Sequence, residues 1–351
     1  MGRYIVRRLL QAIPLLFIIS LIVFVLTSEM GDPLSAFGGG RKPLRSEDRE
    51  RLTRQLGLDK PMYIQYVIWL AGNDWMTVDL DANGKPDVGE DGQFVYGTRK
   101  GALRGDFGTS FATRQPVMDM ILERMPNTLL LMLTSEVVII VVSLVIGLIS
   151  ALKQYSIFDH TVTASSFIGL SMPIPLLALG LIYVFAVYFK RWGLPYFPTG
   201  GMFDPEAGPG WQQTLWHMVL PVTAISVISI AGYSRFIRAS MLEVIQQDYI
   251  RTARAKGLAE RRVVFIHALK NAALPIVTII GLELPFLLAG AVVTETIFAW
   301  PGMGRLFYDH TTRSDFPVLM GIMIIISVAV VVFQLITDVA YTVLDPRIRS
   351  D

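Results

Sequence analysis

No cysteine occurs in this chain of 351 residues, and there are only four histidines. The first absence excludes a disulfide framework, a thiolate metal site and a cysteine nucleophile. His160, His217, His267 and His310 are scattered and show no metal-ligand spacing. Neither an H-E-x-x-H helix nor a G-x-x-x-x-G-K-[ST] phosphate loop is present, so the chain carries no ATP-hydrolysing site of its own. Charge is scarce as well: 17% of residues are Asp, Glu, Lys or Arg, against about 25% in soluble domains. The net charge of +2 implies no nucleic acid or other acidic polymer as partner.

What remains is apolar. Hydrophobic residues make up 52% of the chain, mean hydropathy is +0.50, and the charges are segregated so that long uncharged runs are left between them. An integral, all-α membrane protein follows. Crossing a hydrocarbon core takes about 20 apolar residues. Residues 9–28 qualify without a charge, and further spans read at 128–152, 162–189, 215–233, 272–293 and 318–339, making six. Pro173 and Pro175 in the third span, and Pro275 and Pro285 in the fifth, read as packing kinks. The first run is too long for a signal peptide and lacks a small-residue cleavage site, so it reads as an uncleaved helix.

Arg3, Arg7 and Arg8 place the N-terminus in the cytoplasm by the positive-inside rule, and an even number of spans returns the C-terminus there. The chain then divides into 1–28, with the first span, an extracytoplasmic segment 29–127, and a five-helix core 128–351. That core contains a cytoplasmic loop, 234–271, rich in Arg and Lys. Lys190 and Arg191, at the outer end of the third span, run against the rule.

Within 29–127, "DLDANGKPDVGE" has the alternation of a calcium loop. Asp79, Asp81, Asn83, Asp87 and Glu90 would supply side-chain oxygens, Lys85 a backbone carbonyl, and Gly84 the sharp turn. A plain acidic turn accounts for the same residues. Inside the spans, Glu136 and Glu283 stand out, since a mid-bilayer charge costs about 2.5–3.5 kcal/mol on insertion scales. Each is a candidate for lining a translocation path, and a protonated glutamic acid bonded to a neighbouring helix is the alternative. Ser171 in "GLSMP" lacks a nucleophile frame and a histidine partner.

The loop "DYIRTARAKGLAERRVVFIHALKNAALPIV" has amphipathic spacing interrupted at Gly257. A basic amphipathic loop suits either a headgroup-facing helix or a docking element. Here "YIRTARAKGL" and "HALKNAALP" resemble the coupling loop of ABC-importer permeases, in the B-type subunit of the dipeptide, oligopeptide and nickel group. "RYIVRRLLQAIPLLF", "GDP" at 31–33, "LGLDKPMYIQYVIWL", "RGDFGTSF", "RMPNTLLL", "GAVVTETIFAWPGMGRL" and "DPRIR" resemble that group in the same order along the chain. Residues 71–101, which hold the acidic motif, have no counterpart in this pattern and read as an exterior insertion with hairpin or loop character.

The resemblance implies a six-helix type I importer permease in a bacterial or archaeal cytoplasmic membrane. It implies a heterodimer with a C-type permease, two ATPase subunits carrying ATP and Mg, and an extracytoplasmic solute-binding protein. It gives the coupling role to Thr252, Ala253, Arg254, Ala255, Lys256, Gly257, Leu258, Glu260, Arg261 and Arg262. The implied cargo is a di- or oligopeptide, with nickel chelates, glutathione and oligosaccharides as alternatives in the same group. An intramembrane enzyme and a calcium-sensing receptor are the readings from other classes.

Overall fold

The computed structural model describes residues 2–29, 34, 45–77, 79, 86–89, 92–272, 279–281 and 292–344. Its helices are α1 (Gly2–Glu29), α2 (Ser46–Leu56), α3 (Met62–Ala71), α4 (Val117–Leu152), α5 (Ile157–Ser171), α6 (Ile174–Arg191), α7 (Trp211–Ile245), α8 (Asp248–Ala255), α9 (260–272), α10 (Val292–Ile297), α11 (Met303–Thr311) and α12 (Phe316–Leu344). Among the described residues, β-structure is limited to the isolated bridges Thr77–Tyr96, Val88–Phe94 and Thr109–Pro116. Five stretches are long and apolar enough to cross a membrane: Ile5–Glu29, Val117–Leu152, Ile174–Arg191, Trp211–Ile245 and Phe316–Asp338. The sixth expected span, 272–293, falls mostly on residues outside those described, as do Pro275, Pro285 and Glu283.

The third span differs from expectation. The sequence predicts a single kinked helix over 162–189, but α5 ends at Ser171 and α6 begins at Ile174. Met172 is extended (φ −86°, ψ 123°) because the ring of Pro173 disfavours helical backbone in the residue before it. Pro175 then occupies the first turn of α6, where its missing N–H has no helical partner to lose. Beyond it, residues 182–188 widen into π-helix.

The chain forms two compact units, residues 1–125 with 306–328 and residues 126–305 with 329–351. In the first, α3 packs on α1 through aromatic edges. Tyr66 meets Phe17 and Phe24 with ring centroids 6.0 and 5.3 Å apart, and its hydroxyl lies 2.7 Å from Ser20 Oγ. Gly321 of α12 sits against Val117, where an added Cβ would come within 2.6 Å of a methyl group. The segment 71–101 leaves and returns at one place. Asn73 N donates to Arg99 O at 2.9 Å, and a Cβ on Gly72 (φ +90°) would lie 2.5 Å from that same oxygen. A Cβ on Gly101 (φ +86°) would overlap Gly72 N. Arg104 fastens this neck with a bidentate pair to Asp74, both bonds at 2.6 Å, and a bond to Ala71 O at 2.9 Å.

In the second unit, small residues allow close helix crossings. A Cβ on Gly147 of α4 would come within 2.7 Å of Ile237 of α7, and Gly169 of α5 lies against Ala231. Asp159 of α5 holds Arg238 of α7 bidentately at 2.6 and 2.7 Å.

Candidate functional site

The basic loop folds into a short, self-braced element. Asp248 opens α8 with a negative charge where the helix dipole favours one. The helix places Ile250 and Ala253 inward and Arg251, Thr252, Arg254 and Ala255 outward. Gly257 ends it at φ +75°, donating to Arg254 O at 2.9 Å, while Leu258 N reaches Ala253 O at 3.4 Å. This is the left-handed glycine stop, which satisfies carbonyls that would otherwise be orphaned. Arg254 then clasps Glu260 across the turn at 2.7 and 3.1 Å. That contact holds the Glu260 carboxyl below its usual range. Lys256, Gly257, Glu260, Arg261 and Arg262 are exposed, and Leu258 is half-buried.

Beneath the turn is an apolar seat. Ile250, Ala253, Val263, Val264 and Ala268 pack with Leu148 and Ala151 of α4 and with Ile237 and Met241 of α7. The element therefore has two faces: an outer one dominated by cations, and an inner one rigidly packed on the ends of two long helices. The outer face is thereby joined to the ends of α4 and α7 through close-packed side chains. Of the ten residues expected to couple, Ala253 and Leu258 pack on this seat and the other eight are exposed on the same element.

The other expected sites fare differently. Glu136 is buried at 7% exposure within α4. Of the six proposed calcium ligands, Asp81, Asn83, Lys85 and Glu90 lie outside the described residues. Among the described residues no cluster of three acidic or histidine groups occurs, so the calcium reading of Asp79 and Asp87 gains no support. At Asp87 the backbone is paired, with Val95 N donating to Asp87 O and Gly89 N to Gln93 O, both at 2.8 Å. Ser171 donates its hydroxyl to Phe167 O at 2.8 Å, a helix-backbone bond and not a nucleophile's setting.

Three polar centres escaped the sequence reading. Glu295, fully buried, accepts from Thr128 Oγ1 at 2.9 Å and from Arg305 N at 3.0 Å, and Thr128 Oγ1 accepts from Met303 N at 2.7 Å. Asn127 and Trp300 complete the join: Asn127 Nδ2 donates to Pro301 O at 2.9 Å, and Trp300 Nε1 to Asn127 O at 3.0 Å. The "PNT" and "TETIFAWPGMGR" motifs are therefore one structural centre.

Asp315, also fully buried, collects Ser110 Oγ (2.5 Å), His310 Nδ1 (3.0 Å), Phe111 N (3.0 Å) and Ala112 N (3.1 Å). Burial pushes its carboxyl up, and the four hydrogen bonds outweigh this, leaving it below the ordinary value. Asp159 is the third centre. The Arg238 guanidinium, opposed by burial and helped by Tyr155 N, lowers its carboxyl to about 2. The signals existed as motif residues, but nothing in the spacing pairs positions 167 or 205 apart.

A family model described as "Binding-protein-dependent transport system inner membrane component" matches residues 143–350. Its N-terminal counterpart, "Binding-prot-dependent transport system membrane comp, N-term", matches residues 1–88. The chain is 39% identical to the oligopeptide transport system permease protein AppB of Bacillus subtilis (strain 168), over 99% of this chain and 100% of that protein. It is 36% identical to the dipeptide transport system permease protein DppB of Escherichia coli (strain K12), over 99% of each. Identity to the di/tripeptide transport system permease protein DppB of Pseudomonas aeruginosa (strain UCBPP-PA14) is also 36%, over 99% of this chain and 98% of that one. Such coverage leaves one assignment: the chain belongs to the family of binding-protein-dependent transport system inner membrane components.

Proposed function

We propose that this protein is the permease subunit of an ATP-driven importer of di- or oligopeptides. The full-length relatives named for oligopeptide, dipeptide and di/tripeptide transport support that cargo over nickel, glutathione or oligosaccharides. It works with a second permease of C type, two ATPase subunits and an extracytoplasmic solute-binding protein. Both termini are cytoplasmic, six helices span the membrane, and the 71–101 segment lies outside, where it meets the binding protein or braces itself. Calcium at 79–90 adds nothing to this mechanism.

The observation that carries the mechanism is the braced turn at 248–262, basic outside and seated on α4 and α7 inside. Closure of the ATPases on ATP moves the outer face of the 251–262 element, and the packed seat carries that movement into the helix ends. The permease pair then opens outward and accepts peptide released by the binding protein, and hydrolysis resets it toward the cytoplasm. Glu136, buried within α4, and Glu283 supply negative charge for the peptide's ammonium group along the path.

Gly257 gives the test. Proline fixes φ near −65° and removes an N–H, so it is incompatible with the observed +75° and with the bond to Arg254 O. Gly257→Pro should leave insertion and assembly intact while separating ATP hydrolysis from transport in reconstituted vesicles. Aspartate tolerates the left-handed region better and meets open space, so Gly257→Asp should be the milder lesion. Normal peptide uptake by the proline variant would sink the coupling assignment.

A further inference from the structure

Between α5 and α7, within the second unit, lies a cavity of about 470 Å³ that the coupling mechanism does not use. Its volume is in the range of small-molecule sites, roughly 300–1,000 Å³. Thr163 of α5 and Gly232, Arg235, Phe236, Arg238 and Ala239 of α7 line it, and no carboxylate does among the described residues. The two guanidinium groups in this lining differ. Arg238 is closed by Asp159, which accepts from its Nε and Nη2 at 2.6 and 2.7 Å. Arg235 is exposed, and among the described residues it has neither a hydrogen bond nor an ion pair from its side chain. Its guanidinium lies over the ring of Phe167, with Cζ 4.4 Å from the centroid. A ring covers one face of a guanidinium and leaves the N–H groups, which point in its plane, unspent. One turn away, a Cβ on Gly232 would meet nothing within 4 Å, so the wall beside Arg235 stands open.

Depth decides what kind of partner that charge needs. Phe167 belongs to the uncharged run 161–189. It lies about 15 Å along α5 from Ile157, and α7 continues for a similar distance past Arg235 to Ile245, at about 1.5 Å per residue. The guanidinium thus rests on apolar surface, well short of the helix ends where lipid headgroups are met. Charged side chains at such depth face a water-filled path or the interior of a bundle, and they mark substrate pathways. A peptide brings a carboxylate at its C-terminus whatever its sequence. One fixed cation can therefore hold that end of many different peptides.

We propose that the cavity between α5 and α7 receives the C-terminal carboxylate of the transported peptide, held by the Arg235 guanidinium with the Thr163 hydroxyl beside it. The inference rests on peptides being the cargo. The guanidinium fork matches the two oxygens of a carboxylate, and the Phe167 ring keeps that fork oriented. Gly232 and Ala239 leave room in the lining for the last side chain of the peptide, whatever its kind. Arg238 cannot take the same role, because Asp159 already neutralises it.

The test uses the assembled transporter in proteoliposomes, supplied by its binding protein with trialanine or with trialanine amide. Comparing variant with wild type on the same peptide cancels the selectivity of the binding protein. Arg235→Gln should lower trialanine uptake about tenfold, the scale of one charge-assisted hydrogen bond, and leave uptake of the amide at the wild-type rate. Arg235→Lys should restore much of the trialanine uptake. In a complex arrested with a non-hydrolysable ATP analogue, a tripeptide with a photoreactive C-terminal residue should label 163–167 and 232–239. The same residue at the N-terminus should not. Equal loss of acid and amide in Arg235→Gln would make the arginine a lipid or subunit contact, and C-terminal labelling confined to other helices would place the carboxylate elsewhere. Either result overturns the site. Wild-type vesicles that import trialanine, with Arg235→Gln unimpaired, would refute the carboxylate site alone. Vesicles that import no peptide would refute the cargo, and the site with it.

Discussion

Removing the carboxylate of Asp159 should cost about 2 kcal/mol, a figure that follows from how the fold favours its charged form, with Arg238 and the Tyr155 N–H lowering the carboxyl and burial opposing them. The carboxyl sits at about 2 in the fold against 3.8 for a free aspartate. That difference of roughly 1.8 units corresponds to about 2.4 kcal/mol at 1.36 kcal/mol per unit, so about 2 kcal/mol is a fair expectation. Screening reduces it little on the Asp159 side, which is 3% exposed, and somewhat on the Arg238 side, which is 25% exposed. The sign of the pH dependence follows. A carboxyl depressed by folding contributes stability that is complete above its unfolded value near 3.8 and is lost as pH falls through about 2.

The assay is a double-mutant cycle on the purified full chain, unfolded reversibly in mixed micelles near neutral pH. Asp159→Asn and Arg238→Gln should each destabilise, and the double variant should be less damaged than the sum of the two. A coupling energy of about 1–2 kcal/mol is expected for contacting residues. Acid titration of the wild type should show a stability loss between pH 4 and 2 that is smaller in Asp159→Asn. Strict additivity of the single variants, together with an unchanged acid profile, would refute the pairing as an energetic link between α5 and α7.

Asp315→Ala strands four buried donors at once and should cost about 3–5 kcal/mol, the scale of breaking a buried pair; it should expose 105–116 to protease. Asp315→Asn, which keeps one acceptor oxygen, should be milder in the same digest. Thr128→Val keeps the shape but deprives Glu295 of a donor and Met303 N of an acceptor, so a loss of about 1–3 kcal/mol is expected in chemical unfolding. Gly72→Ala should open the neck of the 71–101 segment, since its Cβ would meet the Arg99 carbonyl at 2.5 Å in a backbone region that resists side chains. Faster proteolysis within that segment, with transport largely retained, is the expected pattern.

Long-range partners separate what could be read in the sequence from what could not. Spans such as Phe316–Asp338 announce themselves because each residue contributes its own hydropathy, and no partner need be known. The basic turn at 248–262 was legible as a structural element for a similar reason: its helix, glycine stop and cations lie within fifteen residues. The break at Met172 was less so, because two prolines in an apolar run carry the same local signal whether the helix bends or ends. Glu295 and Asp315 were invisible as sites. Each looks like an ordinary polar residue beside a span until folding brings up Thr128 or Ser110, and with them the donors that make a buried carboxylate tolerable.

Because Gly72 and Gly101 meet backbone to backbone, the two ends of the segment between them are held together there. A tether of that kind separates length from geometry. Enlarging a closed loop twofold costs only about 0.6 kcal/mol in chain entropy, and here the two ends stay fixed whatever lies between. The stretch beyond the Thr77–Tyr96 bridge can therefore be exchanged, shortened or replaced by a reporter peptide while Asn73, Asp74 and Arg99 keep the neck closed. It is a graft site: a place where this transporter could acquire or lose an appendage in evolution, or carry a fluorophore in the laboratory, without the membrane helices registering the change.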